Sequence, residues 1–271
     1  MLNKYKLILH KPIFLIGFSI ILSWIMIALF ARVIAPYDPF EQNINNRLKP
    51  PSLSNFCGTD ELGRDIFSRI IYGAQISLPM GFAIVVFSAS IGCIIGALSG
   101  FFQGFFDEFA MRITDATLAF PPILLSLAIS SILGLGLKSL FIAMTSVLWA
   151  EYARIMRGQV LSVKNQPFVE ISSTLGFSKI YILIRHVIPN AINPIIIKAT
   201  LEIGDVILTI AAMSFIGLGA VPPTPEWGAM TLMGRNKFYH WWMMTFPGLA
   251  ILSVAIAFNF LGDELRDILE R

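Results

Sequence analysis

The chain has 271 residues, of which 56% are hydrophobic and only 14% charged, and its formal net charge is +3. Soluble domains carry roughly 25% charged residues, so this balance excludes an ordinary soluble protein, and so small a charge does not suggest a nucleic-acid partner. Cys57 in a polar loop and Cys93 inside an apolar run are poorly placed for a disulfide, and none of His10, His186 and His240 stands at zinc-ligand spacing.

Lys4, Lys6 and Lys11 precede an apolar run from Ile13 to Ala31. At about 1.5 Å per residue it spans about 28 Å, which predicts an uncleaved first membrane helix. Residues 36–75 are polar and rich in Pro, Asn and Asp, ending in a short helix from Ile66 to Tyr72. A second span is predicted over 76–98. Its Ser88, Gly92, Gly96 and Gly100 recur every four residues, which lines small residues along one stripe for a close helix neighbour. After a polar connection, 100–115, a third span covers 116–137, bent by Pro121-Pro122. A short fourth span covers 139–155. The fifth covers 194–218 and the sixth 241–261, interrupted by Pro247-Gly248. Six spans place both termini on one side. Lysines beside the first span put that side in the cytoplasm, with Tyr239, Trp241 and Trp242 as an outer aromatic anchor.

The stretch Gln166–Asn190 is too polar to cross a bilayer, yet it is patterned. Phe168, Ile171 and Leu175 fall at i, i+3, i+7, and Ile180, Leu183, Ile184 and Val187 at i, i+3, i+4, i+7. Two short amphipathic helices are predicted, broken at Gly176 and stopped at Pro189, on the cytoplasmic side.

In the fifth span Lys198, Glu202 and Asp205 lie at i, i+4 and i+7, on one helix face, with Asp205 about 10 Å deeper than Lys198. Charges in a span are costly, so this face points into the bundle or a water-filled path. Two readings stand side by side. One is a self-neutralising Lys198–Glu202 pair with Asp205 bonded to a neighbouring helix; the other is a pathway lining, Glu202 and Asp205, attractive to cationic cargo. No phosphate loop occurs: Gly134–Ser139 (GLGLKS) lacks the glycine before its lysine and reads as a helix connection. HExxH and G-x-S-x-G are also absent. No enzymatic site or cofactor of this chain is expected, and any ATP is bound by another chain.

The segment Glu170-Ile-Ser, Gly176, Ile188-Pro189 resembles the EAA loop of ABC-importer permeases, with Ile171 and Ser172 in place of two alanines. Further strings are similar to the C-type permease of the dipeptide, oligopeptide and nickel importer group. They are Gly58-Thr59-Asp60 with Gly63-Arg64-Asp65 and Ser68-Arg69; Ser214-Phe-Ile-Gly-Leu-Gly219; Pro225-Glu-Trp-Gly228; and Gly262-Asp263 in the tail. Gln75 stands where many relatives carry Arg. The resemblance covers residues 13–269. It implies an all-α membrane protein of six transmembrane helices in the type I importer permease fold. Residues 1–75 would hold the first helix and an extracytoplasmic loop, and residues 76–271 the permease core with loop 166–190. It also implies a bacterial inner-membrane location and three kinds of partner: a homologous B-type permease in a heterodimer, two ATPase subunits, and an extracytoplasmic solute-binding protein. Glu170, Ile171, Leu175, Gly176 and Pro189 would couple to the ATPase. The string from Thr200 to Leu208 looks closer to the nickel branch, so nickel or a metal chelate is the expected cargo, with di- or oligopeptide as the alternative.

Overall fold

The computed structural model describes residues 11–269; Lys4, Lys6, His10 and Arg271 lie outside them. Nine helices of eight or more residues organise the described residues: α1 Pro12–Leu29, α2 Ile66–Phe102, α3 Phe105–Leu118, α4 Pro122–Leu133, α5 Leu137–Lys164, α6 Pro167–Thr174, α7 Asn193–Ile216, α8 Trp227–Gly234 and α9 Trp242–Leu269. Among the described residues α1, α2 and α9 are long and apolar enough to cross a membrane, and α3 with α4 makes a fourth if that bent pair is one span. Six spans are therefore not met by this measure, although α5 and α7, at 28 and 24 residues, match the required length.

Several boundaries differ from the sequence expectation for local reasons. The short helix at Ile66 runs on unbroken through Pro79 into one helix of 37 residues. The supposed polar connection after Gly100 is α3, whose buried Asp107, Ala110 and Thr114 recur at i, i+3, i+7. Pro121-Pro122 do more than bend a span: α3 and α4 meet at 92°. Pro122 takes the first position of α4, where its missing N–H costs nothing. The short fourth span extends to Lys164 because Arg154 and Arg157 find carboxylates on α3 instead of ending the helix. Pro247 sits inside an unbroken α9 rather than interrupting it.

The glycine stripe of α2 does what its spacing predicts. A Cβ on Gly92 or Gly96 would run into the carbonyl oxygens of Trp149 and Ala153, and one on Gly100 would lie 2.8 Å from that of Arg157. The C-terminal half of α2 thus lies directly on the α5 backbone. Its N-terminal half turns to α7, where a Cβ on Gly81 would lie 2.6 Å from the Ile207 side chain. α7 lies against α9, where a Cβ on Gly204 would lie 3.0 Å from the Ala255 carbonyl oxygen. α1 is peripheral, seated on α9 through Gly17 and through Trp24, whose Nε1 donates to Ser253 Oγ at 2.9 Å. Lys11 pairs with Glu264 and Asp267, so the two ends of the described chain lie at the same end of the bundle.

Candidate coupling loop and charged face

Loop 166–190 leaves α5 and returns to α7. α6 starts on Pro167 and turns Val169 and Ser172 inward. Its other face, with Glu170, Ile171 at 60% exposure and Leu175 at 71%, is open, and Phe168 at the stripe's start is exposed too. Gly176 holds φ +84, and nothing lies within 4 Å of where its Cβ would be. The glycine is required by backbone conformation rather than by space. The chain then re-enters a helix capped by Ser178, whose Oγ accepts from Tyr181 N.

The second predicted stripe divides: Leu183 and Val187 are buried, while Ile180 and Ile184 are exposed. Pro189 is not a stop. A five-residue π-helical turn, Leu183–Val187, precedes it, and helix continues over Ile188–Ala191. A proline cannot donate to the preceding turn, and the widened turn before it is one way a chain accommodates that. Between this loop and the ends of α2 and α5 lies a cavity of about 470 Å³, lined by Phe101, Lys164, Glu170, Ser173 and Lys179 among others. Lys164 Nζ donates to the Phe101 carbonyl at 2.7 Å, tying α5 to α2 beside the loop.

The charged residues of α7 do not share one environment. Lys198 Nζ lies 3.1 Å from Glu202 Oε1 and 2.6 Å from Glu151 Oε2 on α5. Glu202 is buried, with the fully buried Tyr152 hydroxyl beside it. Asp205 is exposed, and among the described residues no neighbouring helix bonds its carboxylate. The self-neutralising pair is therefore a triad with an unforeseen third member, and only Asp205 opens outward. Glu151 was detectable as a lone acid within an apolar run. Among the described residues no group of three or more His, Cys, Asp and Glu side chains is placed to hold a metal ion.

The remaining motif residues, other than Gly262 and Asp263, gather at the end of the bundle opposite the loop. Asp60 accepts from Arg64 Nε at 2.6 Å and from the Arg64 and Leu62 backbone N–H, with Arg69 at 3.8 Å; all three charged side chains are buried. Asp65 caps α2 by accepting from Ser68 N at 2.8 Å. Gly58 and Gly63 adopt φ +73 and +72, and Thr59 lies buried between Trp242 and the segment 46–49. Trp242 is thus core rather than anchor, donating to the Thr59 carbonyl, while Tyr239 and Trp241 remain exposed. Glu226 caps α8 through Gly228 N and Ala229 N, and Trp227 donates to the Ile70 carbonyl. Gly262 packs on Leu201, whereas Asp263 is exposed. Cys57 and Cys93 are both free.

A helical bundle with several helices long and apolar enough to cross a membrane, and an ordered polar loop between two of its helices, suits a transport permease. The comparisons agree. Residues 92–271 match the family described as binding-protein-dependent transport system inner membrane component, and residues 7–51 match the N-terminal TM domain of oligopeptide transport permease C. The chain is 45% identical over 253 residues to a glutathione transport system permease protein of Escherichia coli, covering 91% of this chain and 82% of that one. It is 39% identical over 261 residues to a probable D,D-dipeptide transport system permease protein of Escherichia coli (strain K12), covering 96% and 88%. It is also 39% identical over 269 residues to a dipeptide transport system permease protein of Alkalihalophilus pseudofirmus, covering 99% and 88%. A solved structure of the MetNI methionine ABC transporter in inward-facing conformations has a similar fold, with TM-score 0.60, 18% identity, and coverage of 75% of this chain and 96% of that chain. The chain belongs to the family of binding-protein-dependent transport system inner membrane components; it is an ABC importer permease.

Proposed function

We propose that this chain forms half of the pathway by which a di- or oligopeptide-type cargo crosses the inner membrane. The observation that carries this reading is the set of relatives, named for dipeptide, D,D-dipeptide and glutathione transport, at 39–45% identity over nearly the whole chain. None of these three is named for nickel, so the lean toward a metal cargo gives way to the peptide alternative. The other half is a homologous B-type permease. Two ATPase subunits and a solute-binding protein complete the importer. Loop 166–190 faces the cytoplasm, as the Lys/Arg balance suggests; a boundary at 75 would cut α2, so the unit ahead of the permease core ends before Ile66.

The exposed apolar surface of α6 suits helix-in-groove docking on the ATPase, with Glu170 available to a basic partner. ATP-driven closure of the ATPase pair then displaces the loop and tilts the helices between inward- and outward-open states. Gly176→Asp, in a complex that still assembles, is expected to abolish substrate-stimulated ATP hydrolysis and uptake together; retention of both refutes the coupling role. Asp205 is the pathway candidate, because an exposed carboxylate midway along a membrane helix is costly against lipid and is stable facing water or another chain. Asp205→Asn is expected to weaken uptake, and unchanged uptake removes it from the pathway. Binding measurements on the cognate solute-binding protein decide the cargo: tight peptide binding without nickel binding is expected, and the reverse overturns the reading.

A further inference from the structure

We infer that Lys198 is a positioning residue for coupling: its bridge to Glu151 makes the legs of the loop, the lower parts of α5 and α7, move as one lever. The argument starts from how α2 is shared. Its N-terminal half is packed on α7 at Gly81, and its C-terminal half on α5 from Gly92 onward. Gly92 meets α5 at Trp149 and Tyr152, the level of Glu151. From that level onward the glycines of α2 face α5, and loop 166–190 links the ends of α5 and α7. At this level the Glu151–Lys198 contact, 2.6 Å, is the one ion pair between α5 and α7 among the described residues. Lys198 is also held by Glu202 at 3.1 Å, one turn along its own helix, so its ammonium is fixed from both sides. The two bridging side chains are 30% and 36% exposed, so the bridge is partly sheltered from water, and losing Glu151 leaves Lys198 to Glu202 alone.

Force arriving through the loop therefore meets two helices pinned together at a fulcrum. Without the pin, α5 stays with α2 while α7 goes its own way with α9, and loop displacement is dissipated in local bending. This inference rests on the coupling role proposed for the loop.

The test uses the assembled importer, with its partner subunits and binding protein, in liposomes, measuring radiolabelled dipeptide imported per ATP hydrolysed. Glu151→Gln cuts only the inter-helix contact and leaves the Lys198–Glu202 pair. It is expected to lower import per ATP by about fivefold while ATP hydrolysis continues. Lys198→Arg is expected to behave as wild type, because it keeps both carboxylate partners. If Glu151→Gln fails to assemble, Glu151→Ala, which also leaves the Lys198–Glu202 pair, is read in the same way. Import per ATP unchanged in the assembled variant overturns the inference. Gly176→Asp separates the two levels. If it uncouples while Glu151→Gln does not, the bridge is wrong and the loop stands; if Gly176→Asp changes nothing, the loop reading fails first.

Discussion

Gly96 gives the sharpest test of how the bundle is held together. In Gly96→Ala the new Cβ would lie 2.9 Å from Met156 Cβ and 3.0 Å from the Ala153 carbonyl carbon, with the Ala153 oxygen closer still. Carbon atoms prefer about 3.5–4.0 Å, so the helices must part by several tenths of an ångström or more. The obstacle is mostly α5 backbone, which cannot rotate aside, and the neighbouring Gly92 and Gly100 contacts resist any separation. Overpacking of this kind costs about 1–3 kcal/mol, offset by about 0.5–1 kcal/mol because alanine is the better helix former. The net is a loss of up to about 2.5 kcal/mol, on the order of a seventyfold drop in the folded-to-unfolded ratio at most. Gly158→Ala is the matched control: it lies on α5, is exposed, and has nothing within 4 Å of its Cβ position, so only the helix-forming gain of about 0.5–1 kcal/mol applies. Unfolding of the micelle-solubilised protein by titration with SDS, followed by tryptophan fluorescence, compares the two. Shifts of the same sign and size in both variants refute the close-packing account.

Asp60→Ala strips the counter-charge from buried Arg64 and Arg69 and is expected to destabilise by about 3–5 kcal/mol in the same titration, whereas Arg154→Ala, breaking an exposed pair with Asp115, costs at most about 1 kcal/mol. Burial pushes the Glu226 carboxyl above its ordinary value of 4.5, against the pull of its two backbone N–H donors, so the folded state holds the proton more tightly than the unfolded chain. Its stabilisation is full below pH 4.5 and is lost as pH rises, and Glu226→Gln should gain on wild type from about pH 4.5 toward neutrality; a pH-independent gap would contradict this. Burial, helped by Asp65, pushes the Cys57 thiol from 9.0 up to about 11. Near neutral pH it should react with maleimide roughly a hundredfold more slowly in the folded protein than after unfolding, and equal rates would place it at the surface.

Sequence periodicity read close helix contact well and helix ends poorly. Ser88, Gly92, Gly96 and Gly100 announced a packing stripe because only absent side chains let backbones touch, and that property is visible residue by residue. Helix ends depended on partners far away in the chain. Arg154 and Arg157 looked like the end of a span until Asp115 and Asp107 on α3 neutralised them, and no local pattern encodes that pairing. Prolines misled in both directions, since Pro247 is carried inside a helix while Pro121-Pro122 turn the chain through a right angle. Within the site, the exposed Ile171 and Leu175 and the left-handed Gly176 followed from spacing and residue type. The split between Glu202 and Asp205 did not. Three residues apart on one helix, they are separated by what α5 brings to one and not to the other: Glu151 and Tyr152 surround Glu202 and leave Asp205 uncovered.

The seat of α1 on α9 sets an order for biogenesis. Trp24 waits for Ser253, 229 residues later, and Lys11 for Asp267, 256 residues later. Membrane insertion proceeds from the N-terminus, so α1 enters the bilayer long before its seat has been synthesised and must remain there as a lone apolar rod. Its uninterrupted apolar face suits that wait. Docking of α1 thereby reports synthesis of α9: a polypeptide truncated before α9 inserts α1 but leaves it undocked and open to quality-control proteases.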